Sequence, residues 1–302
     1  MKKVIWFLTF SLLFSCSSDD SANLELGDEV ENETPSNIPN EIGSVPCNNG
    51  MAGIYPCNGY DLVAHISLDD FSASEANDIW GWTDAETGKE YAIMGLDNGT
   101  VFIDISDAEN LMDLGKLPTA TTASSWRDVK VYEDFAYVVS EANGHGVQVF
   151  DLKRLRNVVG PPQEFTADGH YTGLGNAHNI VINETSGFAY PVGTDRDDEF
   201  NGGVHFLDLQ NPIVPVLAGG WGLNGYTHDA QVITYNGPDA DYQGAEIFVG
   251  ANEDLVVVVD ISDKSTPITL ATLPYPNIGY THQGWFTEDQ RFFILGDELD
   301  EV

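Results

Sequence analysis

Val256-Val257-Val258-Val259-Asp260-Ile261-Ser262-Asp263 is a β-branched run closed by an aspartate, and the chain repeats it. Val101-Phe102-Ile103-Asp104-Ile105-Ser106-Asp107, Val147-Gln148-Val149-Phe150-Asp151 and Val204-His205-Phe206-Leu207-Asp208 have the same form, and their aspartates lie 47, 57 and 52 residues apart. Such runs alternate, or are apolar throughout, as strands inside a sheet are. A fixed period of about fifty residues is the sequence mark of a repeat architecture.

Working outward, a second piece precedes each run. Trp126-Arg127-Asp128-Val129 leads into Phe135-Ala136-Tyr137-Val138, His178-Asn179-Ile180-Val181 into Phe188-Ala189-Tyr190, His228-Asp229-Ala230-Gln231 into Glu246-Ile247-Phe248-Val249, and His282-Gln283-Gly284-Trp285 into Arg291-Phe292-Phe293-Ile294. Ile79-Trp80-Gly81-Trp82 before Tyr91-Ala92-Ile93 reads as a divergent first copy. A fourth apolar segment follows the aspartate, as in Val214-Pro215-Val216-Leu217 and Ile268-Thr269-Leu270. Asn98-Gly99, Asn143-Gly144 and Asn201-Gly202 punctuate the hairpins, because tight hairpin turns need residues that accept positive φ.

Four antiparallel strands per unit at this period predict an all-β fold, a β-propeller of four-stranded blades. A β-sandwich would not repeat one internal order, and no long segment of helical period supports a helical solenoid. About four and a half blades are legible over residues 47–302, since the fifth copy stops after one hairpin and the acidic Asp297-Glu298-Leu299-Asp300-Glu301. A propeller closes to hide its edge strands, so the expectation is a chain cut short at its C-terminal side. Asp61-Leu62-Val63-Ala64-His65-Ile66 is expected to form an outer strand.

These signatures, taken with Gly144-His145-Gly146, Tyr226-Thr227-His228-Asp229 and Tyr280-Thr281-His282-Gln283-Gly284-Trp285, resemble the LVIVD-repeat, choice-of-anchor B family over roughly residues 45–302. The resemblance implies an exported, propeller-like protein held by an anchor, and it implies no particular reaction.

The amino end is consistent with export. Lys2 and Lys3 precede an apolar stretch, Val4–Phe14, that is too short to span a bilayer. It ends in Leu13-Phe14-Ser15-Cys16, which resembles a bacterial lipobox, so residues 1–15 read as a lipoprotein signal peptide and Cys16 as the lipidated residue. Ser17-Ser18-Asp19-Asp20 resembles a signal for transfer to the outer face of a Gram-negative cell. Residues 16–46 carry eight acidic residues and no basic ones, a composition that cannot offset its ordering entropy and so predicts an acidic tether. Cys47 and Cys57 are then expected to pair as a disulfide in an oxidising compartment.

Charge narrows the partners. Twelve Lys and Arg stand against 48 Asp and Glu, a formal charge of −36, and loss of residues 1–15 removes two lysines to give −38. A surface so acidic offers no basic patch for nucleic-acid phosphate or for docking on anionic lipid. The expected partners are the membrane, through the lipid anchor, and an extracellular ligand or protein. No phosphate loop, dinucleotide fingerprint, metalloprotease helix or nucleophile elbow occurs.

The blade starts are the candidate site. Arg127, His178, His228 and His282 occupy one repeat position, 51, 50 and 54 residues apart, each followed by a polar residue: Asp128, Asn179, Asp229 and Gln283. In a propeller, like positions converge at the channel mouth. Three imidazoles with carboxylates nearby fit a divalent metal such as zinc. With Arg127, they also fit a polar or anionic ligand. Histidines that tie one loop to the next produce the same pattern. Asp195-Arg196-Asp197-Asp198-Glu199, Asp239-Ala240-Asp241 and the C-terminal acidic run offer oxygen ligands of the kind calcium takes, without the EF-hand spacing. Two functions follow. One is an outer-membrane lipoprotein whose propeller is a scaffold for ligand binding or adhesion. The other is a hydrolase-like metalloenzyme with His178, His228 and His282 as ligands and Asp128 or Asp229 as base.

Overall fold

A computed structural model of the chain describes residues 44–299. The expected signal peptide, Cys16 and most of the expected tether lie outside the described residues. Among the described residues no helix is long and apolar enough to cross a membrane.

The amino-terminal part is a small hairpin, β1 (Met51–Ala52) and β2 (Tyr55–Pro56). The Cys47–Cys57 disulfide closes it, with Cα atoms 5.9 Å apart. The expected outer strand at 61–66 does not form. Leu62 makes only an isolated bridge with Val45, a β-bridge that Pro46 and Cys47 do not extend into a ladder.

Four antiparallel sheets follow in chain order. The first contains β3 (Ala76–Thr83), β4 (Glu90–Leu96), β5 (Gly99–Asp104) and β6 (Met112–Pro118). The second contains β7 (Arg127–Tyr132), β8 (Phe135–Ser140) and β9 (Val147–Asp151). Its connection then runs through β10 (Gln163–Glu164), which adds a fifth, parallel strand to the first sheet, and β11 (Gly169–Tyr171), which completes the second. The third contains β12 (Asn179–Asn183), β13 (Phe188–Val192), β14 (Val204–Asp208) and β15 (Val216–Trp221). The fourth contains β16 (Asp229–Thr234), β17 (Glu246–Ala251), β18 (Val256–Asp260) and β19 (Ile268–Leu273). A last hairpin joins β20 (Thr281–Phe286) to β21 (Phe293–Asp297). The architecture is the expected one: an all-β propeller of four-stranded blades.

The recurring aspartate has a local cause. Asp104, Asp151, Asp208 and Asp260 each accept the backbone N–H two residues on, from Ser106, Lys153, Gln210 and Ser262, at 2.8–3.0 Å. An aspartate at that position caps the strand end with a turn of its own side chain, which stops the third strand and redirects the chain. The signature that reveals the fold is therefore a turn device, remote from any chemistry.

The third strands of the first, third and fourth sheets also meet their outer neighbours across a bulge, at Phe102/Ile103, Phe206/Leu207 and Val258/Val259. Gly115 in β6 shows why the outer strand tolerates so little: with φ +139°, a Cβ there would lie 2.0 Å from the Gln163 carbonyl oxygen of β10. The apolar faces of adjacent sheets pack on one another. Phe102 and Phe150 stack at 4.4 Å between the first and second blades, and Trp221 and Phe248 meet at a tilt, 6.2 Å apart, between the third and fourth. Burying such rings stabilises each contact by about 2 kcal/mol per side chain.

Candidate functional site

The innermost strands β3, β7, β12, β16 and β20 pack successively side by side. Polar side chains on these strands stitch each to the next. The Val129 N–H donates to Asp78 Oδ2 at 3.2 Å, the Ile180 N–H to Asp128 Oδ2 at 2.7 Å, and Asn179 Nδ2 to the His228 carbonyl at 3.1 Å. The Phe286 N–H donates to Gln231 Oε1 at 2.7 Å. Asp78, Asp128, Asn179, Asp229 and Gln283 all line one side of these strands, and the three histidines stand one residue before Asn179, Asp229 and Gln283. They open onto a single pocket of about 770 Å³.

Around its rim the three imidazoles are neighbours. His178 and His228 have ring centroids 4.2 Å apart, and His228 and His282 4.7 Å. His178 Nδ1 is 2.7 Å from Glu141 Oε1, so it carries the proton and donates it to the carboxylate. His228 Nδ1 likewise donates to the His282 carbonyl at 3.0 Å. The histidines therefore do tie loop to loop, as the structural reading of the repeat expected. Yet each such bond uses only Nδ1 and fixes the tautomer in which Nε2 keeps its lone pair. Burial, reinforced by the neighbouring His178, lowers the His228 pKa to about 4, so the ring is neutral at physiological pH.

Arg127 shares the repeat position and departs from the expected role. Its side chain is fully buried and does not line the pocket. It turns back into the first blade, where Nε donates to the Leu96 carbonyl at 2.8 Å and Nη2 to Thr119 Oγ1 at 2.9 Å. Arg127 thus joins two blades. A polar or anionic ligand in the pocket would not meet its guanidinium.

The carboxylates also divide. Asp128 is buried and heavily engaged, accepting from Val129, Ile180 and Lys130, so both of its oxygens already serve the structure. Asp229 lines the pocket and accepts only the Ala230 N–H, at 2.7 Å, and burial raises its pKa. Asp78 was absent from the sequence expectation. It faces Asp128 across Lys130, whose Nζ is 3.3 Å from Asp78 Oδ2. Burial and the adjacent Asp128 carboxylate push the Asp78 pKa up to about 7. Its weak signal in the sequence was Asn77-Asp78 in the divergent first copy, at the place of Arg127-Asp128.

A second missed residue is Glu298, which lines the pocket from the turn after β21. One ring nitrogen each of His228 and His282 and one Glu298 carboxylate oxygen lie within 4.8 Å of one another. A cue existed: glutamates follow the second strand of three repeats, at Glu141, Glu253 and Glu298. Trp126 and Trp285, both about half exposed, flank the opening.

The other acidic loops hold their own turns. Asp198 accepts from Phe200 and Gly202 N–H, Thr194 Oγ1 and His205 Nε2. Asp239 caps the turn at Asp241. Arg196 forms a two-pronged pair with Glu253 at 2.8 and 2.9 Å.

Comparison with known proteins gives a repeat match and no activity. The LVIVD repeat family matches residues 124–145 and 247–272. No curated protein matches the chain. Among solved structures, a functionally unknown protein from Desulfotomaculum acetoxidans DSM 771 is similar at 12% identity and TM-score 0.47, over 72% of this chain and 62% of that one. A protein from Lactobacillus plantarum is similar at 15% identity and TM-score 0.44, over 73% and 59%. The Myceliophteria thermophila Cps50 (Swd1) β-propeller domain is similar at 10% identity and TM-score 0.44, over 64% and 58%. The chain spans about three fifths of the length of these structures. The matched segments cover the β7 and β8 strands with the loop that follows, and the β17 to β19 strands with the Val-Val-Val-Val-Asp run; the chain carries LVIVD repeats within four-stranded blades of a β-propeller fold.

Proposed function

We propose that the chain is a surface-anchored scaffold that binds a small cationic or hydroxyl-rich ligand in its axial pocket. The observation that carries this reading is convergence: residues from all five innermost strands line one pocket. Its charge supports the ligand class. Asp78, Asp128, Asp229 and Glu298 face it against a single ammonium, that of Lys130. Trp126 and Trp285 at the rim offer aromatic faces of the kind that attract cations and sugar rings. The anchor is Cys16, supported by the lipobox-like Leu13–Cys16, and the acidic tether holds the propeller off the outer membrane. The overall acidity disfavours nucleic acid as a partner.

The test is a titration of the chain from Ser17 onward with spermidine and with maltotriose, read by tryptophan fluorescence and calorimetry. Saturable binding of one of them, weakened at least tenfold in a Trp285→Ala, Asp229→Asn double variant, supports the scaffold. Binding by neither, or binding that the double variant leaves unchanged, overturns it.

The metalloenzyme alternative has one observation in its favour. Asp229, held up in pKa and accepting a single hydrogen bond, is better placed as a base than Asp128.

A further inference from the structure

We infer that His228, His282 and Glu298 form a binding site for a divalent transition ion of the zinc class, with at least one coordination position left open to the axial pocket. This deepens the pocket reading, adding the carboxylate of Glu298 and leaving out Arg127 and Asp128.

The donor set has the chemistry of such an ion. Two imidazoles and one carboxylate are the three-ligand set of open, reactive zinc sites, whereas calcium and magnesium prefer all-oxygen shells. The three donor atoms lie within 4.8 Å of one another, so small rotations about the side chains bring them to bonding distance from one centre. His228 is already in the ligating tautomer, because its Nδ1–H is tied to the His282 carbonyl. That bond also couples the two ligands: the backbone of one orients the ring of the other, the arrangement that raises metal affinity elsewhere.

Glu298 is exposed at its side chain, but its backbone is pinned. Its N–H donates to the Tyr280 carbonyl at 3.0 Å. Asp297, next to it, accepts the Tyr280 N–H at 2.8 Å, the Gly279 N–H at 2.8 Å and the Leu299 N–H at 3.1 Å. The same aspartate thus positions both the strand start bearing His282 and the turn bearing Glu298. His178, its ring centroid 4.2 Å from that of His228 and its plane tilted by 45°, has an unengaged Nε2 among the described residues. A bound ion would reduce the excess of carboxylate charge and give the pocket an electrophilic centre for an oxygen-bearing ligand.

The experiment is calorimetry with zinc chloride on the chain from Ser17 onward, freed of metal by chelator, together with the visible spectrum after cobalt(II) addition. The expected results are one equivalent of zinc and the intense absorption of four- or five-coordinate cobalt. Glu298→Gln, at an exposed position that cannot unfold the blade, weakens zinc at least tenfold, and His282→Gln at least thirtyfold. Asp239→Asn, on the remote turn, leaves binding unchanged. Absence of stoichiometric zinc, a preference for calcium over zinc, or affinity unaltered in the Glu298→Gln, His282→Gln double variant overturns the site. Trp285→Ala separates the two claims: it removes the organic ligand and leaves the zinc isotherm intact. If the ligand reading fails, zinc still binds; if the metal site fails, the spermidine and maltotriose titrations still stand.

Discussion

Nη1 of Arg127 lies 2.9 Å from Nε2 of His145, and both side chains are fully buried. The guanidinium can only donate, so His145 accepts at Nε2 and carries its proton on Nδ1, which it donates to the Gly146 carbonyl at 3.0 Å. One repeat position thus serves two ends. Three copies present an imidazole to the axis, and the fourth sends a cation away from it to hold neighbouring blades together.

Truncating that cation leaves buried acceptors without a donor. Arg127→Met is expected to destabilise the protein by about 3 kcal/mol, since a buried charged donor with several acceptors is lost. Arg127→Lys is expected to cost nearly as much, because an ammonium cannot reproduce the forked geometry. Urea unfolding curves measure both; a change below about 0.5 kcal/mol would show that the guanidinium does not join the blades.

His145 makes stability depend on pH in a defined direction. Burial, and then the adjacent Arg127, lower its pKa to about 4 from 6.5. Below 6.5 the unfolded chain takes up a proton that the folded one refuses, so the folded state loses stability as pH falls from 6.5 to 4 and is unaffected above that window. The full shift is worth about 3 kcal/mol. His228, also at about 4, adds a fall of the same sign. Thermal melts between pH 7 and 4 should show this decline, and His145→Gln should flatten it by roughly half. An unchanged slope in the variant contradicts the assignment.

Asp78 has the opposite sign. Its carboxyl, raised to about 7 by burial and by Asp128, prefers to be protonated in the folded state. That preference favours the fold at low pH and fades as pH rises from 4 through 7. Asp78→Asn keeps an acceptor for the Val129 N–H and removes the charge. It should therefore be more stable than the parent at pH 8 by about 1 kcal/mol, after allowance for partial exposure, and equal to it near pH 4. Melting temperatures at the two pH values decide; a loss of stability at pH 8 would mean that the Lys130 pair outweighs the repulsion.

The anchor is tested in cells. Labelling with a clickable palmitate analogue in a Gram-negative host should mark the parent chain, and Cys16→Ala should abolish the label and move the protein from the membrane fraction to the soluble one. A label that persists in the variant would place acylation elsewhere.

The blade grammar was legible because each device that makes a blade is local. The runs at 101–107 and 256–263 show their strand character in side-chain type, and Asp104 and Asp260 mark the strand ends through a hydrogen bond two residues away. The convergence of His178, His228 and His282 followed from periodicity alone. What the sequence hid depends on side-chain direction or on partners far along the chain. Nothing near Arg127 tells that it meets Leu96 and His145 and avoids the axis. Asp78 owes its perturbation to burial in the folded chain and to Asp128, fifty residues on. Gln163–Glu164 joins the first blade in parallel after an excursion that no alternation announces. Glu298 was read as one member of an acidic run, since its relation to His228 arises only when β20 and β16 lie side by side.

The central claim is that like positions of successive inner strands share one axial pocket, and ring-to-ring contacts among histidines test it most directly. With only seven histidines in the chain, selective labelling and single replacements assign their ring protons by NMR. The account predicts cross-relaxation between His178 and His228 rings and between His228 and His282 rings, each pair within 5 Å of centroid separation, and none between His145 and any of the three. Isolated ring signals for His178, His228 and His282, with no contact among them, would contradict it.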